Sequence, residues 1–359
     1  MTNDEARIHL PFFLILFFIT LVSTFPSVHA QGTPQVGIYV YTWYDPTYAS
    51  NWGYPKIVDK PVLGFYNSCD PGVIATQLKQ IEDLGVDYVM LNWMGPGTFS
   101  DICVGEWFRI AYENVSRVKV AMMVEPYNET GTYNYTEIYD RAYSLYSTYQ
   151  ASAFLQTDEY GNLAPVIFLY NGDVLTGNSW ETFPAYPNDP RLVEIIVGHR
   201  EYVDFWYDDI HQNYYPPSTP WGRQISVLPR FDDYWQWKTG LRDHTDTVDQ
   251  DLDEGLYAAQ WERALNFSRR GMVDFVNIAT WNEYPERTMI EPHFDNTAVH
   301  TDPYYLYNMT RDYIAELKGL EPTEFAKPMY WYQNPYAFVG IFLVIVFAVF
   351  IFIEIYKHY

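Results

Sequence analysis

The sequence predicts an α/β protein, a (β/α)8 TIM barrel, from two observations. Short apolar runs rich in β-branched and aromatic residues alternate with helical patterns, which is typical of parallel strands that are covered on both faces. The body of the chain holds roughly 300 residues, somewhat more than the ~250 of a typical barrel. A doubly wound open sheet is the alternative, but no glycine-rich phosphate loop follows the first predicted strand.

Seven strands are predicted, one fewer than a barrel contains, so its closure is an inference. They cover residues 36–41, 86–93, 119–125, 165–170, 202–208, 224–229 and 275–281. The first crossover helix has the clearest limits, because Asp70 can cap it, Pro71 suits its first turn and Gly85 can end it. Further helices are predicted over residues 106–114, 135–149, 256–269 and 303–317.

The composition limits the classes of function. Lys and Arg number 22 against 45 Asp and Glu, a net charge of −23 that repels nucleic acid. A hydrophobic fraction of 48% excludes a disordered chain, and two cysteines exclude a multi-cysteine metal site. The 34 Tyr and 12 Trp residues would suit sugar binding, because flat rings pack on the apolar faces of pyranoses.

Both ends of the chain carry apolar segments. Residues 11–25 follow Arg7 and precede Val28-His29-Ala30, which predicts a signal peptide over residues 1–30, with an uncleaved membrane anchor as the alternative. Residues 337–353 carry no charge and have aromatic flanks, which predicts a transmembrane helix over residues 336–356.

These segments predict the domain organisation and the location. Lys357 favours a cytoplasmic C-terminus. The barrel, residues 31–318, would then lie outside the cell and be tethered to the cell membrane through a stalk over residues 319–335. Five N-x-Ser/Thr sequons agree with this location, and they begin at Asn114, Asn128, Asn134, Asn266 and Asn308.

The two cysteines are predicted in the loops after the first and second strands, which are neighbours at one face of a barrel. In an oxidising compartment Cys69 and Cys103 could pair as a disulfide. Two buried free thiols are the alternative.

Polar and aromatic residues follow strand after strand, and in a barrel these strand ends converge on the face that holds active sites. Any single one is more often a solvated loop residue, but the coincidence over six strands indicates a site. Seven residues are expected to line one open cleft, namely Trp43, Tyr66, Trp93, Glu125, Tyr127, Asp232 and Tyr234.

Glu283 and Glu286 are the candidate catalytic pair. On a continuing strand a spacing of three would point them to opposite faces, but Pro285 indicates that the strand has ended and that a turn can bring both carboxyls inward. Two carboxyls in one pocket separate in pKa, which gives one proton donor and one base. That is the minimum equipment of glycoside hydrolysis.

The histidines show no spacing typical of metal ligands, so the sequence predicts neither a metal nor a cofactor.

Residues 281–292, W-N-E-Y-P-E-R-T-M-I-E-P, resemble the W-N-E-W-x-E-G-T-Q-I-E-P segment of glycoside hydrolase family 99, the endo-α-mannosidase and endo-α-mannanase family. Further segments resemble the family in its order, at residues 41–44, 63–71, 85–87, 93–95 and 125–127. The resemblance covers residues 36–292.

The resemblance implies a (β/α)8 barrel that cleaves internal α-mannosidic bonds with retention and without a metal. It implies that Glu283 deprotonates the sugar 2-hydroxyl, which attacks the anomeric carbon to give a 1,2-anhydrosugar. Glu286 would protonate the leaving oxygen and later activate water. Together with the strand-end pattern, it implies substrate contacts from Tyr41, Trp43, Tyr44, Tyr66, Asp70, Trp93, Glu125, Tyr127, Arg230, Asp232, Tyr234, Trp281, Asn282 and Glu291.

The motif departs from the family at three positions. Tyr284 replaces a Trp, Arg287 replaces a Gly and Met289 replaces a Gln. Both acids are retained, so hydrolysis is still expected. A cation at Arg287 would lower the pKa of the neighbouring acid and could reshape the leaving-group site.

The leading hypothesis is a membrane-tethered, extracytoplasmic endo-glycosidase whose partner is a glycan substrate. The main rival is a barrel that binds glycans, or builds an envelope layer, without cleaving them. An intact acid pair distinguishes the two hypotheses, because a protein that only binds glycans needs aromatic rings but not both glutamates. A glycosyltransferase-associated module is disfavoured, because the sequence shows no nucleotide-binding loop.

Overall fold

The computed structural model describes residues 32–47, 52, 57–125, 135–157, 163–170, 193–197, 218–219, 222–297 and 300–320. The chain divides into two units, Met1–Lys318 and Gly319–Tyr359, and every element named below belongs to the first. The predicted signal peptide, the predicted transmembrane helix and most of the predicted stalk lie outside the described residues. Among the described helices, none has the length and apolar character needed to cross a bilayer.

A row of parallel strands forms the centre of the fold. In chain order its members are β1 (Gln35–Val40), β3 (Tyr88–Trp93), β4 (Lys119–Val124), β6 (Leu163–Tyr170), β7 (Val193–Val197), β9 (Gly222–Val227) and β12 (Phe275–Ile278). Short antiparallel strands are β2 (Lys60–Pro61) with β13 (His293–Phe294), β5 (Leu155–Thr157) beside β6, β8 (Ser218–Thr219) beside β9, and β10 (Phe231–Asp232) with β11 (Thr247–Val248).

The parallel strands lie in the order β7-β6-β4-β3-β1-β12-β9. The first strand pairs with the second along the chain, Gly37 opposite Tyr88, and with the last, Gln35 opposite Phe275. This is the order of a singly wound barrel and not of the doubly wound alternative. The predicted strand 202–208, which would close the row between β7 and β9, lies outside the described residues, so closure stays a prediction.

Six of the predicted strands are confirmed with small changes in their limits. The strand β7 was not predicted, because Glu194 interrupts an apolar run that is already short.

The helices are α1 (Pro71–Leu84), α2 (Phe99–Glu113), α3 (Tyr135–Thr148), α4 (Tyr234–Lys238), α5 (Leu256–Arg269) and α6 (Tyr305–Leu317).

Local chemistry explains the helix limits. The Asp70 side chain accepts from Gly72 N and Val73 N over 2.8 and 3.0 Å, and Gly85 ends α1 with a φ of 86°, so the predicted limits of α1 are confirmed. The helix α2 begins seven residues before its predicted start. Thr98 caps it there by accepting from Asp101 N over 3.2 Å.

Alternate residues of β1, β3, β4, β6 and β12 enter two different hydrophobic cores, as the period of a strand requires. The outer core lies between the sheet and the helices, and strand residues such as Ile38 and Leu91 meet helix residues such as Leu78 there. The inner core contains strand residues of the opposite parity, such as Met90 and Met123. Side chains of this second parity point toward the barrel interior.

Aromatic rings fill the interior at the amino-terminal end of the strands. The Tyr88 ring stacks on Phe154 with 4.1 Å between centroids, and its hydroxyl donates to Asn277 Oδ1 over 2.7 Å. A Cβ atom at position 37 would lie 2.3 Å from the Tyr88 ring, so only glycine fits there. The interior is therefore packed at this end.

Cys69 and Cys103 form a disulfide, with 4.5 Å between their Cα atoms. Cys69 lies in the loop before α1. Cys103 lies within α2 and not in the loop that the sequence predicted. The bond therefore ties the start of α1 to the neighbouring helix.

Candidate active site

Glu283 and Glu286 lie on one closed turn after β12. Thr280 N donates to Thr288 O over 3.0 Å, and Ile290 N donates to Thr280 O over 3.0 Å, which closes the turn at its base. Within it, Glu283 N donates to the Thr280 hydroxyl oxygen over 2.8 Å. The strand thus ends before the pair, as predicted, and one turn carries both carboxyl groups.

The end of the first strand holds this turn in place. Asn282 Oδ1 accepts from Tyr41 N over 2.7 Å, and Asn282 Nδ2 donates to Tyr41 O over 2.9 Å. The Tyr44 hydroxyl donates to Asn282 O over 2.7 Å and accepts from Tyr284 N over 3.2 Å. Asn282 and Tyr44, which were predicted to bind substrate, are buried and instead position the turn.

Three carboxyl groups share the buried space at the strand ends, those of Glu283, Glu286 and Glu125. Burial raises the pKa of Glu283 well above its ordinary value, and repulsion from Glu286 and then Glu125 adds to the rise. Burial also raises the pKa of Glu125 to about 7. Glu283 Oε2 is buried without a hydrogen-bond partner among the described residues. Such an arrangement costs stability and is typical of a functional site.

Two phenols lie beside these carboxyls. Burial and then the charges of Glu283 and Glu125 raise the pKa of Tyr41. Burial and then the charges of Glu286 and Glu125 raise the pKa of Tyr170. Both hydroxyls are therefore neutral at physiological pH and can donate hydrogen bonds. Tyr170 was not predicted, although as the last residue of β6 it shows the same strand-end signal as the other candidates.

Sequence reasoning also missed Arg242. Its Nη2 contacts Glu286 Oε1, and its Nη1 lies 2.8 Å from Asp233 Oδ2. Burial raises the pKa of Glu286, and this guanidinium opposes the rise. The contact depends on how the chain after β10 folds back, and no pattern in the polar stretch around Arg242 indicates it.

The expected role of Arg287 is wrong. Its Nε lies 2.7 Å from Asp59 Oδ2, and its terminal nitrogens lie 3.1 Å from Asp232 Oδ2 and 3.1 Å from Asp295 Oδ1. All four side chains are at most 7% exposed. Three carboxylates therefore compensate this guanidinium, and it is not the cation that acts on the presumed acid.

Arg230 belongs to the same buried network, so its prediction as a substrate contact is also wrong. Its Nη1 lies 2.5 Å from Asp295 Oδ2, and its Nε donates to Arg287 O over 2.8 Å. Asp232, likewise predicted to bind substrate, accepts from Gln250 Nε2 over 2.8 Å as well as from Arg287. These side chains hold the loops around the site together.

Glu291 is the centre of a second buried cluster. Its Oε2 accepts from the hydroxyls of Tyr66 and Tyr284, each over 2.9 Å, and its Oε1 accepts from Gln77 Nε2 over 2.9 Å. Burial raises its pKa to about 7, although the three donors oppose the rise. Glu291 and Tyr66 thus join the turn of Glu283 and Glu286 to α1, and the substrate contacts predicted for them stay predictions. Tyr284 supplies a hydroxyl that the family's Trp would lack.

Two further predictions of substrate contacts are wrong. Trp93 and Trp281 are fully buried in the outer core, because Trp93 has the parity of Leu91 and so points away from the interior. Asp70 is exposed and serves as the cap of α1, and its contact with substrate stays a prediction.

Three of the remaining candidates are among the described residues. Trp43 is half-buried, with its ring centroid 4.4 Å from that of Tyr41, and Tyr234 is 38% exposed. Glu125 follows the parity of Met123 and therefore points inward. Tyr127 lies outside the described residues.

Two comparisons identify similar proteins, whereas no family model matches the chain. The chain is 22% identical over 268 residues to the glycoprotein endo-alpha-1,2-mannosidase of Rattus norvegicus, covering 64% of this chain and 56% of that protein. It is 21% identical over 263 residues to a glycoprotein endo-alpha-1,2-mannosidase-like protein of Danio rerio, covering 64% and 58%. The chain thus spans little more than half the length of these curated relatives.

Solved structures show the same fold. The GH99 endo-alpha-mannosidase from Bacteroides thetaiotaomicron matches with a TM-score of 0.58 and 17% identity, over 79% of this chain and 98% of that one. A glycoside hydrolase-like protein matches with a TM-score of 0.54 and 13% identity, over 80% and 96%. These likenesses confirm the resemblance to glycoside hydrolase family 99 that residues 281–292 indicate.

Proposed function

We propose that this protein is a retaining endo-glycosidase that hydrolyses α-mannosidic bonds, or similar α-linked bonds, within glycans. One observation carries the proposal: a single turn at the strand ends presents Glu283 and Glu286 together, in unequal surroundings. Glu283 is 3% exposed and faces two other carboxyls, whereas Glu286 is 14% exposed and contacts a guanidinium. Two such carboxyls hold one proton between them and so supply both an acid and a base.

The roles of the pair follow from the resemblance to the family. Glu283 takes the proton of the sugar 2-hydroxyl while O2 attacks the anomeric carbon, and Glu286 gives its proton to the leaving glycosidic oxygen. The product of this step is a 1,2-anhydrosugar. Glu286 then deprotonates water, which opens the anhydrosugar at the anomeric carbon, and Glu283 returns a proton to O2. Two inversions at the anomeric carbon give net retention.

The surroundings of Glu283 suit the base role. A carboxylate that is buried and repelled by its neighbours has a raised pKa, and a raised pKa makes a stronger base. The hydroxyls of Tyr41 and Tyr170 stay neutral under the influence of these carboxyls, so a sugar oxygen that approaches either one would meet a hydrogen-bond donor. Trp43 and Tyr234 supply partly exposed rings on which sugar faces can pack.

The test is hydrolysis by the full-length chain in detergent. It should be incubated with a panel of α-linked manno-oligosaccharides, with the anomer of each fresh product read by NMR. We expect cleavage at internal bonds, with the anomer retained, and no cleavage by the Glu283→Gln/Glu286→Gln double variant. Oligosaccharide binding without turnover would favour the rival glycan-binding barrel. An inverted product would contradict the mechanism.

We also propose that the barrel, residues 31–318, is tethered outside the cell by the helix predicted over residues 336–356. The disulfide supports an oxidising compartment. The sequon residues Asn114 and Asn266 are exposed and open to glycosylation, and Asn308 is half-buried. Asn128 and Asn134 lie outside the described residues.

Cell-surface labelling tests this location. The full chain should be biotinylated on intact cells, should shift in mobility on enzymatic deglycosylation, and should stay with the membrane fraction after alkaline washing. An Asn114→Gln/Asn266→Gln variant should lose part of the mobility shift. A chain that is protected from labelling and shows no shift would contradict the extracellular location. A fully released chain would contradict the tether.

A further inference from the structure

The guanidinium of Arg242 joins two carboxylates of different character. One is Asp233, which is fully buried and also accepts from the Thr245 hydroxyl over 2.9 Å and from Asp246 N over 2.8 Å. The other is Glu286, the presumed acid. Asp233 is thus an anchor with all its partners in place, whereas Glu286 must change its protonation state in every turnover.

The segment that carries Arg242 is fixed to the catalytic turn. The strand β10 pairs with β11, and Asp232 N donates to Glu286 O over 2.9 Å. Arg242 follows α4, between these two short strands. Its position beside Glu286 is therefore built by the fold and is not a chance approach of an exposed side chain.

We infer that Arg242 is a positioning residue, which holds Glu286 as a carboxylate in the unliganded protein and releases it when a glycan fills the leaving-group side. The inference rests on the proposed function and deepens it. Arginine stays charged at any working pH, so Glu286 in contact with it stays ionised and has no proton to donate. The single proton of the pair then resides on Glu283 at rest. It reaches Glu286 only when the contact opens, and the pair neither gains nor loses a proton.

The geometry allows the contact to open without loss of the anchor. The two carboxylates use different terminal nitrogens, so Nη2 can leave Glu286 while Nη1 stays on Asp233. The Arg242 side chain is 34% exposed, and its guanidinium carbon lies 5.6 Å from the centre of the Phe231 ring, which offers a second favourable contact. A glycan leaving group that approaches Glu286 can take the place of Nη2.

The groups that act on Glu286 must all be considered in a test of this role. Besides Arg242 they are Asp233, Glu283, Glu125, Tyr41 and Tyr170. His244 also faces Asp233, but it is exposed at the surface. Only substitutions at position 242 remove the guanidinium and leave this set unchanged.

The experiment is a titration of Glu286 in the full-length chain, labelled with ¹³C at the glutamate carboxyls and followed by NMR. The Glu286→Gln variant identifies the signal. In Arg242→Gln the midpoint should rise by about one pH unit, because an opposite charge at contact distance lowers the pKa of a carboxyl by at least that much. Arg242→Lys should restore most of the shift. Arg269→Gln, which removes a similar ion pair with Glu316 at the surface, should leave the signal unchanged.

Activity supplies the second readout. The alkaline limb of the kcat/KM profile, which reports the free protein, should move to higher pH in Arg242→Gln by about the same shift, whereas the kcat profile, which reports the complex with the contact already open, should move less. A Glu286 midpoint that stays in place or falls in Arg242→Gln would overturn the inference, whether or not the protein is active. If the midpoint rises but no glycan is cleaved by the wild-type chain, the resting contact stands and the proposed function fails.

Discussion

Arg287 Nε lies 2.7 Å from Asp59 Oδ2, although 228 residues separate the two along the chain. Arg287 also has a φ of 57°, a left-handed conformation that suits the glycine found here in the family motif. The arginine that replaces this glycine thus has an unfavourable backbone conformation, and its side chain compensates the charges of three buried aspartates. Its ion pairs join the loops that carry these aspartates.

Arg287→Gly should therefore destabilise the protein. The backbone gain is about 1 kcal/mol, whereas three buried carboxylates each lose a guanidinium partner at a cost of about 3–5 kcal/mol. Val115→Gly is the matched control, because Val115 also has a positive φ, of 52°, but is exposed. Denaturant unfolding should show a loss for Arg287→Gly and a small gain for Val115→Gly. A gain for both would contradict the role of the ion pairs.

Glu291 predicts a pH dependence of stability. Its pKa is raised to about 7 in the folded protein, so the folded state binds more protons than the unfolded state between about pH 4.5 and pH 7. Its contribution to stability is present in full below this window and is lost as pH rises through it, by about 3 kcal/mol. Glu291→Gln should flatten this slope in unfolding measured from pH 4 to pH 8.

The alternative substitution separates charge from hydrogen bonding. Glu291→Leu removes the acceptor of three buried donors, so it should destabilise at every pH by more than Glu291→Gln does. An unchanged pH slope in Glu291→Gln would show that other groups produce it.

Glu125 should influence activity electrostatically only at pH values at which its carboxyl is ionised. Its charge repels ionised Glu283, so Glu125→Gln should lower the pKa of the base above about pH 7 and have little electrostatic effect well below it, where Glu125 is already protonated. The ratio of kcat/KM between variant and wild type should therefore depend on pH with a midpoint near 7. Glu125→Asp, which keeps the charge, is the control, and a ratio that is flat with pH would contradict the repulsion.

The disulfide should contribute measurably to the free energy of unfolding. The Cys69–Cys103 bond spans a sequence separation of 34, and closing a loop of this length stabilises by about 4 kcal/mol. Reductant should lower the free energy of unfolding of the wild type by about this amount. The Cys69→Ala/Cys103→Ala variant should not respond to reductant. Equal responses of the two proteins would rule out the bond as the cause.

The strand-end residues show how far sequence reasoning reaches. Tyr41 and Glu125 lie beside the glutamate pair as expected, because parallel strands bring their carboxyl ends to one face. Trp93 was also predicted to lie there, and this prediction is wrong. Trp93 is two residues after Leu91 on the same strand, so both side chains lie on the face that packs against the helices. The two-residue period that separates Trp93 from the interior can be seen in the sequence.

Other features could not be read from the sequence. The contact of Arg242 with Glu286 joins residues that are 44 positions apart, and no periodicity links them. The Gln77 and Tyr66 donors of Glu291 come from 214 and 225 positions away. Buried polar clusters of this kind depend on how loops pack, and only the folded chain assigns their partners.

The separate roles of Glu283 and Glu286 are tested most directly by their dependence on the leaving group. Wild type, Glu283→Gln and Glu286→Gln should be compared on an α-mannoside with a dinitrophenyl leaving group and on the matching oligosaccharide. We expect Glu286→Gln to lose about 100-fold or more on the oligosaccharide and far less on the activated substrate, which needs no protonation to leave. Glu283→Gln should lose turnover of both, because the attack itself needs the base. Near wild-type turnover of the activated substrate by Glu283→Gln, or equal losses on both substrates for Glu286→Gln, would contradict these roles.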